Sequence, residues 1–287
     1  MTEIRTWQQA LDYTLTTRHT WRHGNGKQAA QINCNHFTRL RGSSFPVKKI
    51  AQPVIAQVSI ELEDEGKSDA TINRIVSAVS TVLRHCEFDG LIQNVPKFRR
   101  RKEDEGRVTW YTKDEVIKLR YVSTNVFQRE DLSDIIGFAA FTGMRQSEIL
   151  KLRKKDIDLV ANKIHVGGVP TQTTKAKNWR AIPIHESILG MVTDRCSQSS
   201  RSDIRIFGDE WRDKDQLLRA FKKANRLIPK DEQYVFHTLR HSYATWLAEA
   251  GVPIRSIQTL CGHKRVETTL RYAHASDTAL TDAMLAI

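Results

Sequence analysis

The chain of 287 residues is 40% hydrophobic and 27% charged, and it carries a formal net charge of +12 with a sequence pI of about 9.6. Its apolar content suffices for two ordinary cores or one large one, its field draws polyanions, nucleic-acid phosphates foremost, and the lack of any apolar run of about 18 residues argues against a membrane span. The opening MTEIRTWQQAL lacks the order of a signal peptide, and Cys34, Cys86, Cys196 and Cys261 are scattered without a C-x-x-C pair, so we expect an intracellular protein whose cysteines are reduced and packed, not a disulfide scaffold or zinc finger.

In chain order, TWQQALDYTLTTRHTW and QPVIAQVSIELEDEG suit helices, with GNGK and RGSS as breaks. Gly24 to Lys27 are an incomplete match to a phosphate loop, because the leading glycine and the following Ser or Thr are missing. In SDATINRIVSAVSTVLRHC, the residues Ile72, Ile75, Val76, Val79, Val82 and Leu83 have the spacing of a helix with one buried face. The charge-dense FRRRKEDEGR, residues 98–107, has no apolar periodicity and predicts a linker between two domains, 1–97 and 108–287. Both sides of it are basic: residues 1–106 hold 16 Lys+Arg against 12 Asp+Glu, and the remainder 29 against 21. Such a tethered pair could close around a duplex.

Beyond the linker, Thr112 and Glu115 predict a capping box at the start of TKDEVIKL. SDIIGFAAFTG reads as a buried helix stopped by Gly143, and a new helix begins near MRQSEILKLR. The segments DIDLVANKIHVGG and NWRAIPI alternate with a period of two and predict a small antiparallel sheet. Helices resume from Lys214 onward. The fold class expected is therefore mainly α with a small antiparallel β-sheet, a helical first domain preceding a mixed α+β second one.

Residues suited to holding a phosphate recur in the second half. Arg145 follows a helix-ending glycine and can present its guanidinium from a helix start, where two oxygens can be bound at once; pairing with Glu148 is the plainer reading. Lys175 lies in a predicted turn ahead of a strand, with Lys177 as a competitor. In HTLRH, the residues His237, Arg240 and His241 stand at i, i+3 and i+4 and share a helix face. Two histidines four apart can bind zinc, but the glutamate of H-E-x-x-H is absent and no third ligand is evident. A structural role for His241 stays open. His263 follows the helix-stopping Gly262, and Tyr272 lies nine residues further on, where an isolated tyrosine is ordinarily a packing residue.

Taken together these boxes resemble the tyrosine recombinase family, the integrases of temperate phages and their bacterial relatives. TGMRQSEILKL is similar to the family's first arginine box, Lys175 stands eight residues before Pro183 as its hairpin lysine does, HTLRH matches its H-x-L-R-H box, and LCGHKRVETTLRYAH resembles its closing box. The likeness spans about Thr112 to Ala275; residues 1–97 are similar only in outline to the family's helical core-binding, DNA-binding domain. Cys261 replaces the usual leucine before Gly-His, and Thr238 stands where aspartate is common. The length leaves little room for a further arm-binding domain.

The resemblance implies a site-specific recombinase that cuts and rejoins double-stranded DNA at attachment sites through a 3′-phosphotyrosyl intermediate. It casts Tyr272 as nucleophile, Arg145 and Arg240 as holders of the non-bridging oxygens, and His263 as a hydrogen-bond donor to one of them. His237 is cast as acceptor of the phenolic proton, Lys175 as general acid, and Glu148 as the group that orients its neighbours. It implies no cofactor and no metal. The partners implied are a homotetramer on two DNA sites, accessory DNA-bending or directionality proteins, and a C-terminal tail, residues 275–287, whose Leu280, Ala283, Met284 and Ile287 dock on a neighbouring subunit or on their own domain. A phage or mobile-element integrase is the favoured biology. A type IB topoisomerase-like enzyme and a catalytically inactive DNA-binding protein are the alternatives.

Overall fold

The structure, a computed structural model, describes residues 4–22, 24–103, 108–167, 179–207, 210–211, 213–229 and 234–273. The chain divides into two compact units, Met1–Gly106 and Arg107–Ile287. Among the described residues, no helix is long and apolar enough to cross a membrane.

The first unit is built from α1 (Trp7–Thr17), α2 (Gly24–Arg41), α3 (Gln52–Asp64) and α4 (Asp69–Phe88). Thr6 and Gln9 form a capping box on α1, and Ser68 caps α4 by accepting from the Thr71 N–H, each satisfying N–H groups that a helix start leaves without partners. The apolar stripe of α4 buries all six residues that its spacing marked and packs with Trp7, Phe37 and Leu62 into one core. GNGK is the first turn of α2 and not a break; residues of low helix propensity cost least where the N–H groups have no intrahelical acceptors. The charged stretch after α4 is fastened down as far as it is described. Phe98 packs on the core, and Arg101 donates to Glu63 at 2.7 Å and to Asp69 at 3.0 Å.

The second unit opens with α5 (Lys113–Tyr121), started by the Thr112–Glu115 capping box, and α6 (Glu130–Thr142), whose residues Ile135, Ile136, Phe138, Ala139 and Ala140 are buried. Gly143 ends α6 at φ +60°, a left-handed turn. A Cβ there would also collide with the Tyr243 ring, so glycine is required twice over. The segment MRQSEILKLR forms only the short α7 (Gln146–Ile149). The predicted sheet is present, with antiparallel strands β1 (Ile157–Asp158), β2 (Lys163–Val166) and β3 (Arg180–Pro183) in that order and Ile164 paired with Ile182. Helices α8 (Glu186–Ser197), α9 (Lys214–Asn225), α10 (Thr238–Glu249), α11 (Ile254–Cys261) and α12 (Glu267–Leu270) complete the unit. Its main core joins α5, α6, the sheet, α8 and α9, while Ala244, Ile257, Cys261 and Tyr272 form a smaller cluster under α10 and α11. All four cysteines are free and buried.

Candidate active site

The turn after α6 places two of the candidate groups at once. The carbonyl of Gly143 accepts a 2.6 Å bond from Arg240 Nη1, and two residues later Arg145 caps α7 in extended conformation. The Arg145 N–H donates to Glu148 Oε2 at 2.9 Å and its Nη1 to Oε1 at 3.1 Å, while Nη2 reaches the Gly262 carbonyl at 3.0 Å. The first arginine is thereby tied to the loop that carries His263.

Arg180, the first residue of β3, closes this frame. It is 5% exposed; its Nη2 donates to Glu148 Oε2 at 2.7 Å and its Nε to the Leu260 carbonyl at 3.0 Å. Gly262 lies so near that a Cβ would stand 2.8 Å from Arg180 Nη1, and its φ of +66° independently demands glycine. Burial pushes the Glu148 carboxyl upward, but its bonds from Arg180 and from the Arg145 backbone outweigh that and hold it below the ordinary carboxylate range. Glu148 is therefore an anion shared between two arginines.

Arg240, on the first turn of α10, is 3% exposed. Its Nη2 is buried and has no hydrogen-bond partner among the described residues. A buried guanidinium with an unused donor is costly unless an anion completes it. A cleft of about 570 Å³ lies close by, lined by Arg145, Glu148, Trp179, Arg180, His263 and Lys264 among others, and cationic side chains outnumber acidic ones in its walls.

The tyrosine and the histidines sit together at the head of α10. Tyr272, in the turn after α12, is 4% exposed. Its hydroxyl is hydrogen-bonded to His241 Nδ1 at 2.6 Å and not to His237. The His263 ring lies parallel to that of Tyr272, with centroids 6.2 Å apart and planes 7° apart, while its Nδ1 is bonded to Thr269 Oγ1 at 2.9 Å. His237 is exposed at the rim and meets the His241 ring edge-on, centroids 4.9 Å apart. Burial pushes the Tyr272 phenol up to about 12. Burial first, then neighbouring basic groups, drives His241 and His263 down to about 4; for His241 these are His237, Arg271 and Arg240, and for His263 Arg240 and Arg145 lead. His237 is lowered by the protein against its inner side and then by Arg240 and Arg145. The histidines are thus neutral beside fixed guanidinium charge.

Five of the six predicted residues, Arg145, His237, Arg240, His263 and Tyr272, are brought together through these contacts. Lys175 lies outside the described residues, as does the tail 275–287. Among the described residues, no group of three His, Cys, Asp or Glu could hold a metal ion. Two participants escaped the sequence reading: Arg180, and His241 as the partner of the tyrosine. An arginine at an inward-facing position of a predicted strand was the signal for the first, and the i, i+4 face shared with His237 the signal for the second.

Residues 109–279, more than half of the chain, match the phage integrase family. Tyrosine recombinase XerA of Thermococcus kodakarensis is 31% identical over 215 residues, covering 74% of this chain and 73% of that protein. A tyrosine recombinase of Thermosipho africanus is 26% identical over 234 residues, covering 78% of each. Among solved structures, the Tn1549 transposon integrase in complex with a circular intermediate DNA superposes with a TM-score of 0.76 at 18% identity, over 98% of this chain and 99% of that one. A lambda integrase dimer bound to a COC′ core site gives 0.71 at 21% identity, over 94% and 77%. The fold is that of a DNA integrase. With the family match and these relatives, the chain belongs to the phage integrase family and is a tyrosine recombinase, an enzyme of site-specific DNA recombination.

Proposed function

We propose that this recombinase cuts and rejoins double-stranded DNA at its attachment sites through a 3′-phosphotyrosyl link to Tyr272. The observation that carries this reading is the unused, buried Nη2 of Arg240 on the same helix turn as the histidine bonded to the Tyr272 hydroxyl. Arg240 and Arg145 hold the two non-bridging oxygens of the scissile phosphate, and His263 donates to one of them. Their charge is fixed before the substrate arrives, so stabilising the pentacovalent transition state requires no reorganisation of water. Tyr272 Oη forms a bond to phosphorus, the bond to the 5′-oxygen breaks, and Lys175 protonates that oxygen as it leaves. The phenolic proton passes to the histidine pair on α10, for which the sequence favours His237 and the hydrogen bond favours His241. Because Tyr272 is 4% exposed, duplex binding must open a path to its hydroxyl.

Ligation is the reverse attack by a 5′-hydroxyl, so one phosphodiester is exchanged for another and neither ATP nor a divalent ion is consumed. Residues 1–97 serve as the core-binding domain and 108–287 as the catalytic one. The assembly is a homotetramer on two DNA sites, acting in the cytoplasm on a phage or mobile element, with accessory proteins setting direction. Incubation with a nicked duplex bearing the attachment site tests the chemistry: the wild-type protein gives a covalent adduct stable to denaturing electrophoresis, and Tyr272→Phe gives none while still binding the site. An adduct of equal yield from Tyr272→Phe refutes the assignment.

A further inference from the structure

Arg180 stands where a sheet would ordinarily place an aliphatic side chain. Its neighbours on the inward face of β2 and β3, Ile164, Val166 and Ile182, are buried in the main core, and Arg180 itself is 5% exposed. A buried guanidinium stabilises a fold no better than a well-packed apolar residue of similar volume, so its presence there points to a task. Its Nη2 donates to Glu148 Oε2 at 2.7 Å and its Nη1 to Oε1 at 3.3 Å, while Nε caps the end of α11 at the Leu260 carbonyl. Glu148 also accepts from Arg145 Nη1 at 3.1 Å. The Arg145 side chain nonetheless stays 41% exposed beside the cleft, against 5% for that of Arg180. Resting on the reading of Arg145 as a holder of the scissile phosphate, we propose that Arg180 is a positioning residue for strand cleavage: it engages Glu148 from the buried side, so that Arg145 keeps an uncancelled positive charge for the phosphate oxygen.

The trio sets two guanidinium charges against one carboxylate, which its partners keep ionised, and the surplus charge lies on the outward member. Without Arg180 the carboxylate has Arg145 as its remaining partner in the trio. Both of its oxygens can then draw the Arg145 fork inward as a bidentate pair, and the trio becomes neutral at the place where the transition state gathers negative charge. Removing the Glu148 charge as well restores the surplus, and a lysine in place of Arg180 never loses it. What Arg180→Met costs the reaction is therefore charge more than bonds. A residue that merely braced the fold would behave in the opposite way, because the double change removes more bonds than the single one.

Single-turnover adduct formation and site affinity are measured with the full-length protein on the nicked duplex, below the melting temperature of each variant. Arg180→Met is expected to slow adduct formation by about 100-fold, with its affinity for the site within about threefold of wild type because many phosphate contacts share the binding. Arg180→Lys, which keeps the counter-charge, and the double variant Arg180→Met with Glu148→Gln are each expected to recover to within about 10-fold of wild type. In an Arg145→Ala background, Arg180→Met is expected to cost no more than about threefold further, since its effect runs through the residue already removed. The double variant also carries the test where Arg180→Met fails to fold, because it leaves no carboxylate buried without its partner. A double variant as slow as Arg180→Met, or about 100-fold below wild type where that single variant does not fold, overturns the proposal. So does a loss of about 100-fold that persists in the Arg145→Ala background, or a loss of site affinity in step with the rate; Arg180 would then only brace the fold. Arg145→Ala as fast as wild type instead strikes the reading of Arg145, and the proposal with it.

Discussion

Arg101 in the first unit and Arg240 in the second are the same side chain put to opposite uses. Arg101 is well partnered: its guanidinium donates to Glu63, Asp69 and the Ser59 carbonyl at 2.7, 3.0 and 3.2 Å. Among the described residues, Arg240 bonds the Gly143 carbonyl and keeps a buried nitrogen, Nη2, without a partner. Carboxylate is not lacking near Arg240, but Glu148 is already held by Arg145 and Arg180. A guanidinium carries five N–H donors in a rigid fork, and where the fold fills them the arginine is a rivet. Where the fold withholds partners at the cost of desolvation, the arginine is a receptor for an anion supplied from outside.

The contrast can be broken most severely at Arg240. Arg240→Ala is expected to slow adduct formation by about 100- to 1,000-fold, the usual cost of removing one transition-state donor, with little loss of thermal stability because it deletes an incompletely paired buried group. Single-turnover cleavage and calorimetry on one preparation check both halves. Glu148→Gln keeps the shape of the shared carboxylate but removes its charge; with Arg145 and Arg180 less firmly held, we expect adduct formation slower by roughly 10-fold and a lower melting temperature.

Acid sharpens the contrast from the side of the histidines. His241 and His263 are held near 4 in the folded chain, against about 6.5 for a free imidazole. Between those values the unfolded chain binds more protons than the folded one, so this stability is present above about pH 6.5 and is lost as pH falls through about 4. Calorimetry should show the second unit melting several degrees lower at pH 4.5 than at pH 7, at roughly 2–4 °C per kcal/mol. The smallest catalytic effect belongs to Arg101→Ala, expected to leave the single-turnover rate on saturating DNA within about threefold while lowering the stability of the first unit by about 1 kcal/mol. A cleavage defect as large as that of Arg240→Ala would erase the distinction.

Much of this was legible before the structure. The α4 stripe, the Thr112 capping box, the Gly143 stop and a small antiparallel sheet each follow from local rules that act over a few residues, and the boxes around Arg145, Lys175, His237 and Tyr272 were legible through their resemblance to the tyrosine recombinase family, Lys175 lying outside the described residues. What was not legible depends on contacts between segments far apart in the chain. The inward-facing place of Arg180 on a predicted strand marks it as unusual, but its partners, Glu148 and the Leu260 carbonyl, lie 32 and 80 residues away and are not named by its local sequence. Similarly, the pairing of His241 with a tyrosine 31 residues on emerges only when the turn after α12 folds back on α10. The GNGK stretch misled for a local reason, since glycine and asparagine mark a loop or a helix start equally well.

The central claim, that Tyr272 becomes covalently bonded to a DNA 3′-phosphate, is tested most directly by trapping the adduct on a nicked attachment-site duplex, digesting it with trypsin and nuclease, and sequencing the nucleotide-bearing peptide by mass spectrometry. The account predicts a peptide that begins at Tyr272, directly after Arg271, with a nucleotide 3′-phosphate on the phenolic oxygen. A nucleotide mapped to any other side chain, with Tyr272 recovered unmodified, would contradict it.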